Sequence, residues 1–149
     1  MKSLGTHEID LMNTFCQYNP NRFLAWKQVV ESIFPNIGKD VLCLRFSPHV
    51  WFALRHVTGI KIESNNPYYM MHRYYKRSHK DALIKETNFK ILIDDIVKRG
   101  IKDKPQVMLY PIHKNPYCVM NEIYEGHHRL SAHFIAINTI AKVELMEMK

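Results

Sequence analysis

The chain has 149 residues, 46% of them apolar and 23% charged, which suits one ordinary folded domain with a real core and excludes two large domains or wholesale disorder. Lys and Arg number 21 against 14 Asp and Glu, a formal net charge of +7, so phosphates, nucleic acid or another anionic partner are expected. Cys16, Cys43 and Cys118 are widely spaced without a C-x-x-C pair, which points to neither a disulfide framework nor a cysteine zinc site; with no apolar run near 20 residues and no secretory h-region, the expected place is the cytoplasm, with no membrane partner.

Taken in chain order, Ile9, Met12, Phe15 and Cys16 keep helical spacing, and after the Asn19-Pro20-Asn21 break so do Phe23, Trp26, Val30, Ile33 and Phe34. Ser47-Pro48 reads as an N-cap with proline at the first helical position. The helix of Val50, Ala53, Leu54 and Val57 should then end at Gly59. Residues 1–59 are therefore expected to form a helical N-terminal extension, and 60–149 the main domain. Ile60–Glu63 suggests a short strand before the Ser64-Asn65-Asn66-Pro67 turn.

From Tyr68 to Lys80 aromatic and basic residues alternate. A single helix would align His72, Arg73, Lys76, Arg77 and Lys80 as a basic stripe. Thr87 or Asn88 is the expected cap of a helix carrying Phe89, Leu92, Ile93, Ile96 and Val97 and ending at Gly100. Strands are expected over Gln106–Ile112 and Tyr117–Tyr124, joined by a Lys114-Asn115-Pro116 turn. Leu130, Phe134 and Ile137 then mark a helix ended by Asn138 in the left-handed region, and Ala141, Val143 and Leu145 a closing strand. This order predicts an α+β fold, a small mixed sheet with packed helices.

Chemistry concentrates at Tyr124-Glu125-Gly126-His127-His128-Arg129-Leu130-Ser131-Ala132. A strand-to-helix junction aims unpaired N–H groups and the positive end of the helix dipole at one spot, which suits a phosphate. Gly126 is expected to let the backbone approach it, Arg129 to bind its oxygens in bidentate fashion, and His127 or His128 to add a donor. Glu125 can hold a metal ion on the phosphates or act as a base. No protein metal site is expected, because His127, His128 and His133 have no carboxylate or cysteine at metal-site spacing.

This run resembles the [DE]-G-H-H-R-L-x-A box of the ParB/sulfiredoxin-like superfamily. Upstream, Leu92–Ile101 with its Gly100, followed by Pro105-Gln106-Val107, is similar to that family's helix leading through a proline into a strand. The resemblance spans about residues 60–146. It implies a nucleotide phosphate at the turn, with ATP, ADP or CTP as ligand together with Mg²⁺, and Gly126, His127, His128, Arg129 and Ser131 as nucleotide-binding residues. His127 stands where sulfiredoxins carry their cysteine, so their repair reaction is not implied. The G-H-H-R form looks more like the free-serine kinases of the superfamily. That likeness implies phosphoryl transfer or NTP hydrolysis, with Glu125, Glu63 and His128 as catalytic residues and Glu63 in the position of the kinase base. Two other readings stand beside it. One is a DNA- or RNA-binding protein, with or without nuclease activity, contacting phosphates through Arg73, Lys76, Arg77 and Lys80. The other is a phage-type interaction module that blocks a host factor, its protein partner held by residues 1–59.

Overall fold

A computed structural model describes residues 1–20, 23–109 and 121–147. It is α+β, as expected. Among the described residues five helices pack with a four-stranded mixed sheet. The elements run β1 (Lys2–Asp10), α1 (Leu24–Ile33), α2 (Pro48–Thr58), α3 (Pro67–Tyr74), α4 (His79–Arg99), β2 (Gln106–Met108), β3 (Glu122–Glu125), α5 (His127–Ala136) and β4 (Ile140–Glu147), with short 3-10 turns between β1 and α2. The strand order is β1-β4-β2-β3. β1 and β4 are antiparallel, with Lys2 opposite Glu147 and Asp10 opposite Ile140; β4 and β2 are parallel, with Val107 beside Leu145; β2 and β3 are antiparallel, with Val107 beside Ile123.

The first strand corrects the expected helix at Ile9, Met12, Phe15 and Cys16. Pairing with β4 claims residues 2–10, and a 3-10 turn at Leu11–Asn13, capped by the Asp10 carboxylate on Met12 N–H, follows at once. Phe15 instead bridges to Cys43 and Glu122. Residues 1–59 are thus only partly helical. They also share both cores with the rest of the chain. One core joins Phe23, Trp26, Val30, Phe52 and Ala53 to Tyr68, Phe89, Ile93, Ile96 and Ala132; the other joins Ile9, Leu11, Leu44 and Val50 to Val107, Ile123, Leu130 and Val143.

Helix α2 forms as its punctuation predicts. Ser47 Oγ accepts from Val50 N–H at 3.2 Å, Pro48 opens the helix, and Gly59 closes it with φ 71°. Its buried face is His49, Val50, Phe52 and Ala53, whereas Leu54 and Val57 are exposed. The face is turned relative to the expected stripe, and that turn carries His49 inward.

No strand forms at Ile60–Glu63. The segment leads into Asn66, whose side chain caps α3 and donates to the Glu63 carbonyl at 2.8 Å and to Glu86 at 3.2 Å. The predicted helix from Tyr68 to Lys80 is two helices. Lys76 takes the left-handed conformation at φ 62°, and Ser78 caps α4 by accepting from Asp81 N–H at 3.1 Å. α4 therefore starts well before Thr87, whose hydroxyl is spent on the Leu83 carbonyl of the preceding turn. Its buried positions, Ala82, Glu86, Phe89, Ile93 and Ile96, step by four and three and so make one stripe; Val97 faces solvent.

Helix α5 packs against both α2 and α4 and touches β4. Asn138 does not take up the left-handed cap; its side chain instead accepts from Ile140 N–H at the entry to β4. The expected Lys114-Asn115-Pro116 turn, the outer halves of its flanking strands and Cys118 lie outside the described residues. Among the described residues no helix is long and apolar enough to cross a membrane.

Candidate functional site

The junction of β3 and α5 opens onto a cleft of about 850 Å³, within the range of small-molecule sites. Glu125, Gly126, His127, His128 and Arg129 form one wall. Gly126 is the N-cap of α5 at φ 102° and brings no side-chain acceptor to the helix's first N–H groups. A cap without a side chain leaves those donors and the dipole available to an anion. The glycine is required for a reason other than ligand approach. A Cβ at position 126 would lie 2.7 Å from Pro105 Cβ, so the α5 junction is seated directly on the proline that leads into β2.

Arg129 is anchored from the same side, its Nη1 donating to the Asp103 carbonyl. That bond ties the helix start to the loop before β2 while the side chain still lines the cleft. Ser131 does not reach it. Its side chain is wholly buried and donates to the His127 carbonyl at 2.6 Å, one turn back in α5. Glu63 is exposed on the loop between α2 and α3 and is not part of the cleft lining. Glu125 is the one carboxylate among the described lining residues.

The rest of the lining comes from elements the box does not contain. His49 from α2 stands 4.5 Å from the His128 ring and 6.2 Å from that of His127. Tyr68 and His72 come from α3, and Lys85, Asn88, Phe89 and Leu92 from α4. Tyr18 meets His127 edge to face at 4.7 Å. Arg77 reaches in from the break between α3 and α4, donating from Nη1 to His72 Nδ1 at 3.1 Å. It is the one member of the predicted basic stripe in the cleft besides His72, which is buried; Arg73, Lys76 and Lys80 are exposed and outside it. The stripe does not exist as one helical face, because α3 stops before Lys76.

Four imidazoles therefore share the cleft: His49, His72, His127 and His128. All are held neutral. Burial is the main cause in each case. It places His72 and His128 at about 4, both helped by the Arg77 and Lys85 cations, and His127 at about 3, helped by His128; His49 is pushed well below its usual range, helped by the other three rings. Among the described residues His49 Nδ1, His72 Nε2 and His127 Nε2 are sealed in the wall without hydrogen-bond partners, each at a cost of roughly 1–3 kcal/mol. Such an arrangement is retained more readily for a site than for stability alone.

His128 is the one of the four with no nitrogen sealed without a partner among the described residues. Its Nε2 is paired with the Tyr68 hydroxyl at 2.8 Å. The sequence marks out the two adjacent histidines for this site, but it places Arg77 and His72 only in the basic stripe and Tyr68 only in the aromatic and basic segment that carries it, and it does not point to His49 or Lys85. The one available signal was the high histidine count, 9 in 149 residues, which says nothing of which ones meet. Among the described residues no group of three His, Cys, Asp or Glu side chains is placed to hold a metal ion.

No family model matches the chain, and neither a curated protein nor a solved structure matches it. The likeness to the ParB/sulfiredoxin-like box accordingly rests on the residues quoted for it.

Proposed function

We propose that the cleft binds a phosphorylated ligand of nucleotide size, of the class ATP, ADP or CTP. The observation that carries this reading is the convergence of three cations, Arg77, Lys85 and Arg129, with the uncapped start of α5 on a single cleft. Cations from two helices and the turn between α3 and α4 can give an anion several charge-assisted hydrogen bonds at once, and the dipole adds to them. The rings of Tyr18, Tyr68, Tyr75 and Phe89 in the same lining supply flat apolar surface for the rest of the ligand. The resemblance of the Glu125–Ala132 run to a nucleotide-binding box supports the same class.

Mg²⁺ fits only as a companion of the phosphates. One carboxylate, Glu125, lines the cleft, and Mg²⁺ is commonly held by one or two carboxylates together with substrate phosphates. For phosphoryl transfer or NTP hydrolysis Glu125 is the group to test, since positioning and charge are the main demands of that chemistry. Glu63, outside the cleft, has no such support. A nucleic-acid contact through the 72–80 segment has less support, because its cations divide between the cleft and the exposed surface. A partner surface on residues 1–59 as a separate extension also has less, since that segment is part of the sheet and of both cores.

Calorimetric titration with ATP, ADP and CTP, with and without Mg²⁺, tests the reading. Binding of at least one nucleotide is expected, weakened roughly tenfold or more by Lys85→Ala and by Arg77→Ala, as for the loss of one charge-assisted bond. A folded protein that binds none of the three, or binds them unchanged in both variants, overturns it.

A further inference from the structure

The Tyr68 hydroxyl and the His128 ring meet in the lining of the cleft. Tyr68 is 1% exposed, and its hydroxyl oxygen lies 2.8 Å from His128 Nε2, the one hydrogen-bond partner it has among the described residues. Burial, with Glu86 nearby, pushes the phenol further up from its usual range, and His128 is kept neutral, so both groups stay in these forms at any moderate pH. A neutral imidazole carries one N–H, and a hydrogen bond accepted at one nitrogen places that proton on the other. The ring is also fixed in position. It lies edge to face against His49 at 4.5 Å and Phe89 at 4.8 Å. Its Nδ1 has no hydrogen-bond partner among the described residues and, unlike His49 Nδ1, His72 Nε2 and His127 Nε2, is not sealed in the wall. His128 lines the cleft at the first turn of α5, beside Arg129, which lines it too.

We infer that Tyr68 is a positioning residue of the binding site: by donating to His128 Nε2 it fixes the tautomer in which Nδ1–H is presented to an anionic oxygen of the ligand. The alternative tautomer would turn a lone pair toward that oxygen and repel it. Tyr68 thus acts through His128 and need not touch the ligand. It belongs to no part of the nine-residue box, and its own helix, α3, brings it there. The inference rests on the phosphate-binding reading for the identity of the ligand, but the tautomer itself is a property of the free protein.

The test has two arms. In the first, nitrogen-15 spectra of the free protein at pH 7 report the state of His128; the expected result is a protonated Nδ1 and an unprotonated Nε2, changing to a mixture or to the other tautomer in Tyr68→Phe. In the second, ADP is titrated into wild type, Tyr68→Phe, His128→Asn and the double variant. Asparagine offers a donor near the place of Nδ1 without needing a tautomer. Tyr68→Phe should weaken ADP about tenfold in the wild-type background and have little effect in the His128→Asn background. A protonated Nε2 in the wild type overturns the inference, as does an equal loss from Tyr68→Phe in both backgrounds, which is what a merely structural tyrosine would give. If the expected tautomer is found but the folded wild type binds no nucleotide, the phosphate-binding reading fails, and with it the ligand half of this one.

Discussion

Gly126 shows how one residue can be required by the fold and by the site together. Its φ of 102° disfavours any side chain, and the space where a Cβ would go is taken by Pro105. Gly126→Ala should cost about 2–4 kcal/mol, the sum of left-handed strain and overpacking, and lower the melting temperature by roughly 10 °C. Gly59→Ala is the control. That glycine is also left-handed, at φ 71°, but a Cβ there meets nothing within 4 Å, so only the backbone part, about 1 kcal/mol, is expected. Thermal melts of the two variants measure the difference, and equal losses would remove Pro105 from the account. The need for glycine at 126 was legible in the sequence, as were Glu125, His127, His128 and Arg129 beside it. Pro105 as the reason was not, because a contact between residues 21 positions apart leaves no local pattern. Ser131 stands at the unspecified position of the box, and the helix uses its hydroxyl internally, a bond that the sequence does not announce.

At the scale of elements, legibility follows how local the forces are. α2 was readable because its cap, proline and terminal glycine all act within the helix. The start of α4 was not, since Ser78 and Thr87 are both plausible caps and only the left-handed turn at Lys76 decides between them. The two candidates make opposite predictions. Ser78→Ala removes the bond to Asp81 N–H and should cost about 1 kcal/mol, whereas Thr87→Ala, inside an exposed stretch of the helix, should stay within about 0.5 kcal/mol. Urea denaturation of both resolves this, and a larger loss at Thr87 would move the helix start back to the expected place. β1 was the least legible element. Its partner β4 begins 130 residues later in the chain, at Ile140, and such pairing outweighs the helical spacing of Ile9, Met12, Phe15 and Cys16.

The whole molecule brings together what neither a motif nor a single helix contains. α2, α3 and α5 each deliver a histidine to the same cleft, with α5 giving two, while the Arg77 and Lys85 cations stand over them. Stability should record this as a dependence on pH. All four rings have folded values below the ordinary histidine value of 6.5, so between those values the unfolded chain binds more protons than the folded protein. Stability therefore rises with pH in that window: the contribution is fully present above 6.5 and is lost as pH falls toward 4 and 3, at up to about 1.4 kcal/mol per pH unit for each ring. Glu86, raised chiefly by burial, acts in the opposite direction and slightly blunts the slope. Unfolding in urea at pH 7.5, 6 and 5 measures the effect in a range where carboxylates of the unfolded chain remain mostly ionised. A clear fall in unfolding free energy from pH 7.5 to 5 is expected, and His72→Gln should reduce the slope by the share of one ring. A flat profile would mean that the four imidazoles accept protons inside the fold, and the cleft would then present positive rather than neutral donors to its ligand.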